Sequence, residues 1–211
     1  METLVHTPSP PPLTLPLSFY QGEDVVAIAK ALLGKWLLTR IGDDPVTGGM
    51  IIETEAYAGA EDRASHAYNN RRTARTETLF GEGGVSYIYF CYGMHHLFNV
   101  VTHRKETPHA VLIRSLHPTT GLKTMQRRRR KEPLTKGPGN LSQALGLTLI
   151  HNALPLNAPP LWIEDREVEI PPSKIQASER IGVAYAKEDA LLPYRFSIIG
   201  SCCKISKELG P

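Results

Sequence analysis

Two short clusters hold most of the side chains in this sequence that could do chemistry together. The first is Glu53–Tyr57, and the second is Tyr87–Gly93. The second cluster places three of the eight tyrosines within six residues, directly before a glycine. A carboxylate beside several aromatic rings is suited to a site that holds a flat aromatic molecule and carries out acid–base chemistry next to it.

The spacing of the first cluster favours a common face. If residues 48–57 are extended, the period of two places Glu53, Glu55 and Tyr57 on one side of the strand. The alternative is an ordinary solvent-facing strand edge, which is the commoner meaning of such a pattern. His66 follows in a polar loop that could fold back over Glu55, although a single histidine in such a loop is usually just exposed.

The second cluster predicts a strand and a tight turn. Tyr87 and Tyr89 share one face, either as packing within a half-buried strand or as a wall on which a planar ligand stacks. Tyr92 comes immediately before Gly93, so we expect it at a hairpin tip. A large ring that projects from such a tip is suited to act as a wedge.

A metal site was the third possibility for these residues. Glu53 and Glu55 could be joined by His66, His95 and His96 as ligands. The sequence has no HExxH helix and no cysteine pair of zinc spacing, and adjacent His95 and His96 point apart on a strand. We therefore expect neither a metal nor a cofactor.

The composition is that of one soluble globular domain. The chain has 211 residues, of which 41% are hydrophobic and 21% charged, and this is long enough for a substantial core. It contains no apolar run of membrane-spanning length and no secretory signal pattern. With three cysteines, two of them adjacent, we expect a reducing compartment and no membrane partner.

Positive charge is concentrated in one segment. Residues 101–140 contain ten Lys or Arg and two acids, for a segment charge of +8 within a chain of net charge +3. Residues 127–131 are five consecutive cations. The run is either a solvated helix or loop, or a stripe that faces phosphates and binds them in a salt-sensitive way.

The remaining pattern predicts an α+β domain with a mainly antiparallel sheet, because strands outnumber helices and most connections are too short for parallel crossovers. Residues 1–16 are proline-rich and predict a disordered tail or extended arm. Helices are expected at 24–33, 119–131 and 140–145. Strands are expected at 35–40, 48–57, 85–91, 97–102, 110–116, 162–170 and 195–199.

Five ordered motifs go beyond these patterns: ETEAY-x8-H, YIY-x2-YGM-x4-N, VLIRSLHP, GPGNLSQALG and RIGVAYA. Together they resemble the alkyladenine (3-methyladenine) DNA glycosylase family of the AAG/MPG type, from about Phe19 to Ile205. The resemblance implies a single compact domain at 17–206, with a curved, open-barrel-like antiparallel sheet, surrounding helices and a protruding β-hairpin. It also implies a monofunctional enzyme of base excision repair, which flips alkylated or deaminated purines out of duplex DNA and hydrolyses the N-glycosidic bond.

The resemblance also assigns roles to residues. It implies that Glu55 activates the attacking water, with Arg114 and the backbone carbonyl of Ile181 beside that water. It implies a base pocket of Tyr57, His66, Tyr89 and Asn99, in which Asn99 excludes the 2-amino group of guanine. It implies that Tyr92 intercalates into the DNA.

Several further expectations complete the interpretation. Further DNA contacts are expected from Met94, His95, Arg127, Arg128, Arg129, Arg130 and Lys131. The expected partner is double-stranded DNA with damaged purines, bound by a monomer. The expected location is the cytoplasm and nucleoid of a prokaryote, or the nucleus of a eukaryote. The alternative function is a non-catalytic module of the same fold that binds damaged DNA.

Overall fold

A computed structural model describes residues 13–200 of the chain. Its α-helices are α1 (Leu17–Tyr20), α2 (Val25–Ala31), α3 (Leu122–Arg129) and α4 (Pro138–Leu145). Its strands are β1 (Trp36–Thr39), β2 (Thr47–Tyr57), β3 (Ser86–Cys91), β4 (His95–Thr102), β5 (His109–Thr120), β6 (Asn157–Ala158), β7 (Leu161–Glu164), β8 (Ile175–Ser178) and β9 (Arg195–Ile198). Short 3₁₀ turns occur at Gly59–Glu61, Tyr68–Asn70, Glu77–Phe80, Leu149–His151, Pro172–Lys174 and Ala184–Leu191.

Within the described residues the strands form one curled, half-barrel sheet in the order β3-β4-β5-β2-β1-β7-β6, with β9 paired to β2 and β8 to β9. Every pair is antiparallel. The predicted α+β class, with a curved antiparallel sheet, surrounding helices and a protruding hairpin, is confirmed. No helix within residues 13–200 is long and apolar enough to cross a bilayer.

The helices cover the sheet with apolar side chains. Helix α2 begins where the Asp24 carboxylate accepts hydrogen bonds from the backbone N–H groups of Val26 and Ala27, a strong N-cap arrangement. Its buried residues join a core that extends across the sheet to α3 and α4. This core fixes the long central strands β2 and β5, which position the candidate site.

The pairing of β2 with β5 is irregular beside the candidate site. The register passes from Ile51 opposite Leu116, to Glu53 opposite Ser115, and to Thr54 opposite Ile113. Arg114 therefore has no partner directly across. Such irregularities re-aim side chains and are frequent beside active sites. Here the irregularity lies between Ile51 and Thr54, directly before Glu55.

Strands β3 and β4 form the hairpin that the sequence predicts. The turn has positive φ at both Tyr92 and Gly93, 50° and 67°, as a two-residue type I′ turn requires. Glycine adopts this conformation at little cost, whereas a bulky residue such as tyrosine is strained in it.

Several expected boundaries differ from the structure. Helix α3 begins at Leu122, not at 119, because β5 continues through Thr120. Strand β7 ends at Glu164 instead of continuing to 170. The predicted strand start at 97 was late, since β4 begins at His95.

The structure describes only the inner end of the predicted tail or arm. Residues 1–12 and 201–206 lie outside the described residues. Leu15 is buried, and its N–H donates to the carbonyl of Ile163, while Asp165 N–H donates to the carbonyl of Leu13. Residues 13–16 are thus an extended arm packed along β7.

Candidate active site

One row of residues crosses four neighbouring strands and forms the floor of the candidate site. Tyr87 pairs with Asn99, Asn99 with Leu112, and Leu112 with Glu55. Residues directly opposite in an antiparallel sheet point to the same face. The carboxylate of the first cluster and the aromatic residues of the second are therefore brought to one face by sheet register.

A cavity of about 470 Å³ opens above this row, within the range of small-ligand sites. Its walls are largely aromatic and apolar, with a few polar groups. Of the residues expected in a base pocket or beside the water, it is lined by Tyr57, His66, Tyr89, Asn99, Arg114 and Ile181, and Tyr92 lies at its edge.

Glu55 lies just behind this wall and is 0% exposed. The Tyr57 hydroxyl donates a hydrogen bond to Oε2 at 2.8 Å, and the backbone N–H of Ile181 donates to Oε1 at 2.8 Å. Arg114 Nη1 lies 3.2 Å from the same Oε1. A buried carboxylate is stable only when it is paired and hydrogen-bonded in this way. The Ile181 N–H contact is additional to the expected role of the Ile181 carbonyl, which stays a prediction.

Tyr57 is held as a proton donor toward Glu55. Burial and the neighbouring Glu55 carboxylate raise the pKa of the Tyr57 hydroxyl well above its ordinary value. The Arg180 guanidinium lies against the same ring, 4.9 Å from its centre. Glu53, Glu55 and Tyr57 therefore share one face, as their spacing predicts.

His66 and Tyr89 form the opposite aromatic wall. Their rings meet edge to face with centres 4.6 Å apart, a favourable arrangement for aromatic pairs. Burial, aided by the charges of Arg75 and Arg71, lowers the pKa of His66 to about 4. At neutral pH this wall therefore presents an uncharged imidazole.

Tyr87 supports His66 from below. Burial raises the pKa of the Tyr87 hydroxyl to about 12, and this hydroxyl lies 2.9 Å from His66 Nδ1. A neutral imidazole has one donor and one acceptor nitrogen. A protonated tyrosine hydroxyl can donate to Nδ1 or accept from it, so this contact orients the ring in either tautomer. The packing role expected for Tyr87 thus includes orienting His66.

Asn99 and Tyr92 occupy opposite extremes of exposure. Asn99 is buried at the floor, where its side-chain amide donates to the carbonyl of Tyr87 at 3.0 Å. Tyr92 is 84% exposed at the hairpin tip. Met94 is also exposed, whereas the His95 ring packs closely on Gly139 of α4. The hairpin thus projects a tyrosine and a methionine from the rim of the cavity.

Residues 18–202 match the family model for methylpurine-DNA glycosylase. The chain belongs to this family. The family that the sequence motifs resemble is therefore confirmed, and with it the expectation of a DNA glycosylase, an enzyme that hydrolyses N-glycosyl bonds.

Bacterial relatives of this family member agree. A Chlamydia felis protein is 48% identical over 187 residues, which cover 86% of this chain and 94% of the relative. A Chlamydia pneumoniae protein is 45% identical over 183 residues, covering 84% and 91%. A Bacillus cereus protein is 44% identical over 193 residues, covering 86% and 93%. All three carry the provisional name 3-methyladenine DNA glycosylase.

The basic run of this family member is divided between structural and exposed cations. Arg127 and Arg128 pair with Asp44, and Arg128 also donates to the carbonyl of Ala144. Arg129 is 5% exposed, and its Nη1 donates to Asn140 and Gln143. The expectation of a DNA contact is therefore corrected for Arg129, which is committed to joining α3 to α4.

The rest of the run remains available to a ligand. Arg130 and Lys131 are exposed at the end of α3. The contact of Arg129 with Asn140 joins this end of α3 to α4, whose Pro138 lines the cavity.

Sequence reasoning missed a buried ion pair that supports the site. Arg180 and Asp62 form a two-point salt bridge at almost no exposure. Arg180 also donates to the carbonyl of Ala56, which lies between Glu55 and Tyr57. Asp62 accepts from the N–H groups of Ala58 and Ala64. The pair thereby joins the end of β2 to the loops that carry His66 and Ile181.

The available signal for this pair was weak. Arg180 belongs to the RIGVAYA motif, but nothing in the spacing of Asp62 suggests a partner 118 positions away. Among the described residues, no group of three or more His, Cys, Asp or Glu is arranged to hold a metal ion.

Proposed function

We propose that this chain flips alkylated or deaminated purines out of duplex DNA and hydrolyses their N-glycosidic bond with a water activated by Glu55. The observation that supports this proposal most directly is that the buried carboxylate of Glu55 lies at the wall of an aromatic cavity, beside the exposed Tyr92. A base inside a duplex is out of reach of any side chain. It must therefore rotate into a pocket, at an unstacking cost of a few kcal/mol.

The cavity suits a flipped purine. Tyr57 lies on one side and Tyr89 with His66 on the other, so a planar base between them would contact electron-rich rings. An alkylated base that carries positive charge gains an additional attraction to such rings. The uncharged His66 adds no repulsion toward that charge.

The contacts of Glu55 support its role as the base. A carboxylate has about four lone-pair sites. Among the described residues, Ile181 N–H and Arg114 occupy two on Oε1, and Tyr57 occupies one on Oε2. A water that donates to the remaining site on Oε2 would be oriented for attack on the sugar carbon. The carboxylate accepts its proton and stabilises the oxocarbenium-like sugar.

Arg114 and Ile181 frame this water in the proposal. Arg114 uses Nε on Glu53 and Nη1 on Glu55, so its remaining N–H groups are turned to the cavity and can hold the water or the sugar–phosphate backbone. The Ile181 carbonyl is proposed to accept the second proton of the water. Asn99 at the floor is proposed to exclude the 2-amino group of guanine.

DNA recognition is proposed for the surface around the cavity mouth. Tyr92 would fill the gap left by the flipped base, which delays its return, and Met94 would pack beside it. Arg127, Arg128, Arg130 and Lys131 are proposed as phosphate contacts, of which the last two have the greater reach. His95 is half-buried against α4, and we propose that it contacts DNA only through its exposed edge.

The reaction is proposed to stop at an abasic site. Among the described residues that line the cavity, none is lysine, so no amine is available there to form a Schiff base with the sugar. The proposal includes action as a monomer on chromosomal DNA in the cytoplasm of a bacterium, the kind of organism from which the relatives come.

A matched set of duplexes tests the function. Each duplex carries 3-methyladenine, 7-methylguanine, hypoxanthine, ethenoadenine or no lesion. The expected products are the free base and an alkali-sensitive but otherwise intact strand, without covalent trapping by borohydride. Tight binding of a lesion duplex without base release would instead establish the alternative, a non-catalytic binding module.

A further inference from the structure

Glu53, the other carboxylate of the first cluster, has no role in the proposed chemistry, yet it contacts residues that support Glu55. Glu53 Oε1 accepts from Arg114 Nε at 3.2 Å and from Arg195 Nη1 at 3.1 Å. Its Oε2 accepts from the Ser115 hydroxyl at 3.0 Å. Three different strands therefore meet at this one side chain.

Each of these contacts links Glu53 to another part of the site. Arg114 contacts Glu55 as well as Glu53. Arg195 also donates, through Nε, to the carbonyl of Glu179 at 2.9 Å, at the start of the loop that offers the Ile181 N–H to Glu55. Ser115 accepts from the N–H of Gly137 at 3.2 Å, directly before Pro138 at the cavity wall.

The charges alternate along the same line. Glu55, Arg114, Glu53 and Arg195 form a row of two carboxylates and two guanidinium groups. The guanidinium of Arg114 is thus shared between two carboxylates. Held from both sides, it keeps one orientation relative to Glu55, because its N–H groups are fixed in a planar fork.

We infer that Glu53 is a positioning residue, which orients Arg114 and the Ile181 loop around Glu55. The inference rests on the proposed function, because it assumes that Glu55 is the general base. Glu53 does not line the cavity, so it acts through its neighbours and not on the substrate.

Every element packed against Glu53 and Glu55 contributes charged or titratable groups. On β2 they are Glu53, Glu55 and Tyr57; on β5 and β9 they are Arg114 and Arg195; on the loop before Ile181 it is Arg180. Arg180 is balanced by Asp62. Loss of the negative charge of Glu53 therefore removes the group that holds both Arg114 and Arg195.

The test is single-turnover excision from an ethenoadenine duplex by the full chain, with duplex binding and base flipping measured on the same samples. Glu53→Gln keeps the shape but removes the charge. We expect the rate at neutral pH to fall on the order of tenfold to a hundredfold, as for a small misplacement of reacting groups. We expect the dissociation constant and the flipping fluorescence to stay within about twofold of the unmodified protein, because Glu53 does not touch substrate.

Two further variants separate the positioning role from a folding defect. Glu53→Asp keeps the charge on a shorter side chain, so the rate is expected to fall less than in Glu53→Gln. Arg195→Gln removes the contacts with Glu53 and with the carbonyl of Glu179, so the rate is expected to fall while binding and flipping stay within about twofold. If Glu53→Gln fails to fold, an Arg195→Gln rate within threefold of the unmodified protein overturns the inference.

Two controls make the outcomes distinguishable. Glu23→Gln removes an exposed carboxylate on the segment before α2 and should leave the rate unchanged. Glu55→Gln tests the proposed function itself: if it excises at close to the unmodified rate, the proposed function fails and this inference with it. If Glu55→Gln is inactive but Glu53→Gln keeps its rate within threefold, or loses binding and flipping together with excision, only the role of Glu53 is overturned.

Discussion

Tyr92 carries two energetic costs that a purely structural residue would avoid. Its ring is exposed, and its backbone has a φ of 50°, a conformation that is unfavourable for a bulky side chain. Such strain is typically retained at functional sites. The proposed wedge role explains why a tyrosine is held there.

Tyr92→Ala is therefore expected to reduce base flipping more than duplex binding. The wedge stabilises only the flipped state, so the fluorescence change of ethenoadenine should shrink while non-specific affinity changes by less than about threefold, since phosphates supply most of that affinity. Stability should change by no more than about 0.5 kcal/mol, as for most exposed positions. Ile150→Ala, another exposed apolar residue, is the control. Equal flipping in both variants would argue against the wedge.

Asn99→Ser tests the expected gate at the floor of the cavity. The shorter side chain cannot reach the carbonyl of Tyr87 and leaves space where a 2-amino group would lie. Excision of guanine relative to hypoxanthine should rise by about tenfold, the scale on which one small group discriminates in a pocket. Competition between the two bases in one duplex measures this ratio, with Asn157→Ser in β6 as the control. A ratio that stays constant would assign discrimination to another residue.

His66 predicts a pH dependence of stability. Its pKa falls from an ordinary 6.5 to about 4 on folding, so the unfolded chain takes up this proton at higher pH than the folded one. Stability from this group is complete above about pH 6.5 and is lost as the pH falls toward 4, because protons then favour the unfolded state.

His66→Gln should therefore flatten the loss of unfolding free energy over that pH range. The flattening should be partial, because burial also lowers the pKa of His109 and of His151. Chemical denaturation at a series of pH values measures it, and His96→Gln serves as the control. A slope as steep as that of the unmodified protein would contradict the buried, neutral state of His66.

At the scale of elements, the end of α3 changes from a structural to an exposed basic segment within two residues. Arg129 fastens α3 to α4, whereas Arg130 and Lys131 project into solvent. Arg129→Ala should cost about 1–3 kcal/mol of unfolding free energy, because Asn140 and Gln143 lose their donor.

The double variant Arg130→Ala with Lys131→Ala should instead leave stability unchanged. It should lower the slope of log affinity against log salt by about 0.9 for each phosphate contact removed. Arg40→Ala with Lys174→Ala, which removes two exposed cations elsewhere, is the control. A slope that matches this control would show that the exposed end of the run faces solvent in the complex.

The sequence predicts most elements but not all of their ends. Strands β2 and β3 were predictable because period-two alternation and a turn glycine are local signals. The end of β7 at Glu164 was not, because Val168 and Ile170 alternate with charged residues and continue the strand pattern, whereas pairing stops where Glu164 meets Trp36, the first residue of β1. Residues 13–16 look like part of a proline-rich tail, and only the edge of β7 explains why they pack.

At the scale of the whole molecule, the register of the paired strands brings the residues of the site together. Glu55 and Asn99 lie 44 positions apart in the sequence and meet only because both pair with Leu112. Periodicity predicted that Glu53, Glu55 and Tyr57 share a face, and the family motifs supplied the candidate roles. Neither could supply the Arg180–Asp62 pair or the contacts of Glu53 with Arg195, because these depend on the curvature that brings distant loops together.

The measurement that tests the central claim most directly is single-turnover excision of ethenoadenine by Glu55→Gln, with flipping followed in the same experiment. The amide keeps the size of the side chain but cannot take a proton from water. We predict a rate at least about a thousandfold lower, within the range for loss of a general base, with a flipping signal of normal amplitude. Excision within tenfold of the unmodified rate, with normal flipping, would contradict the assignment of Glu55 as the base.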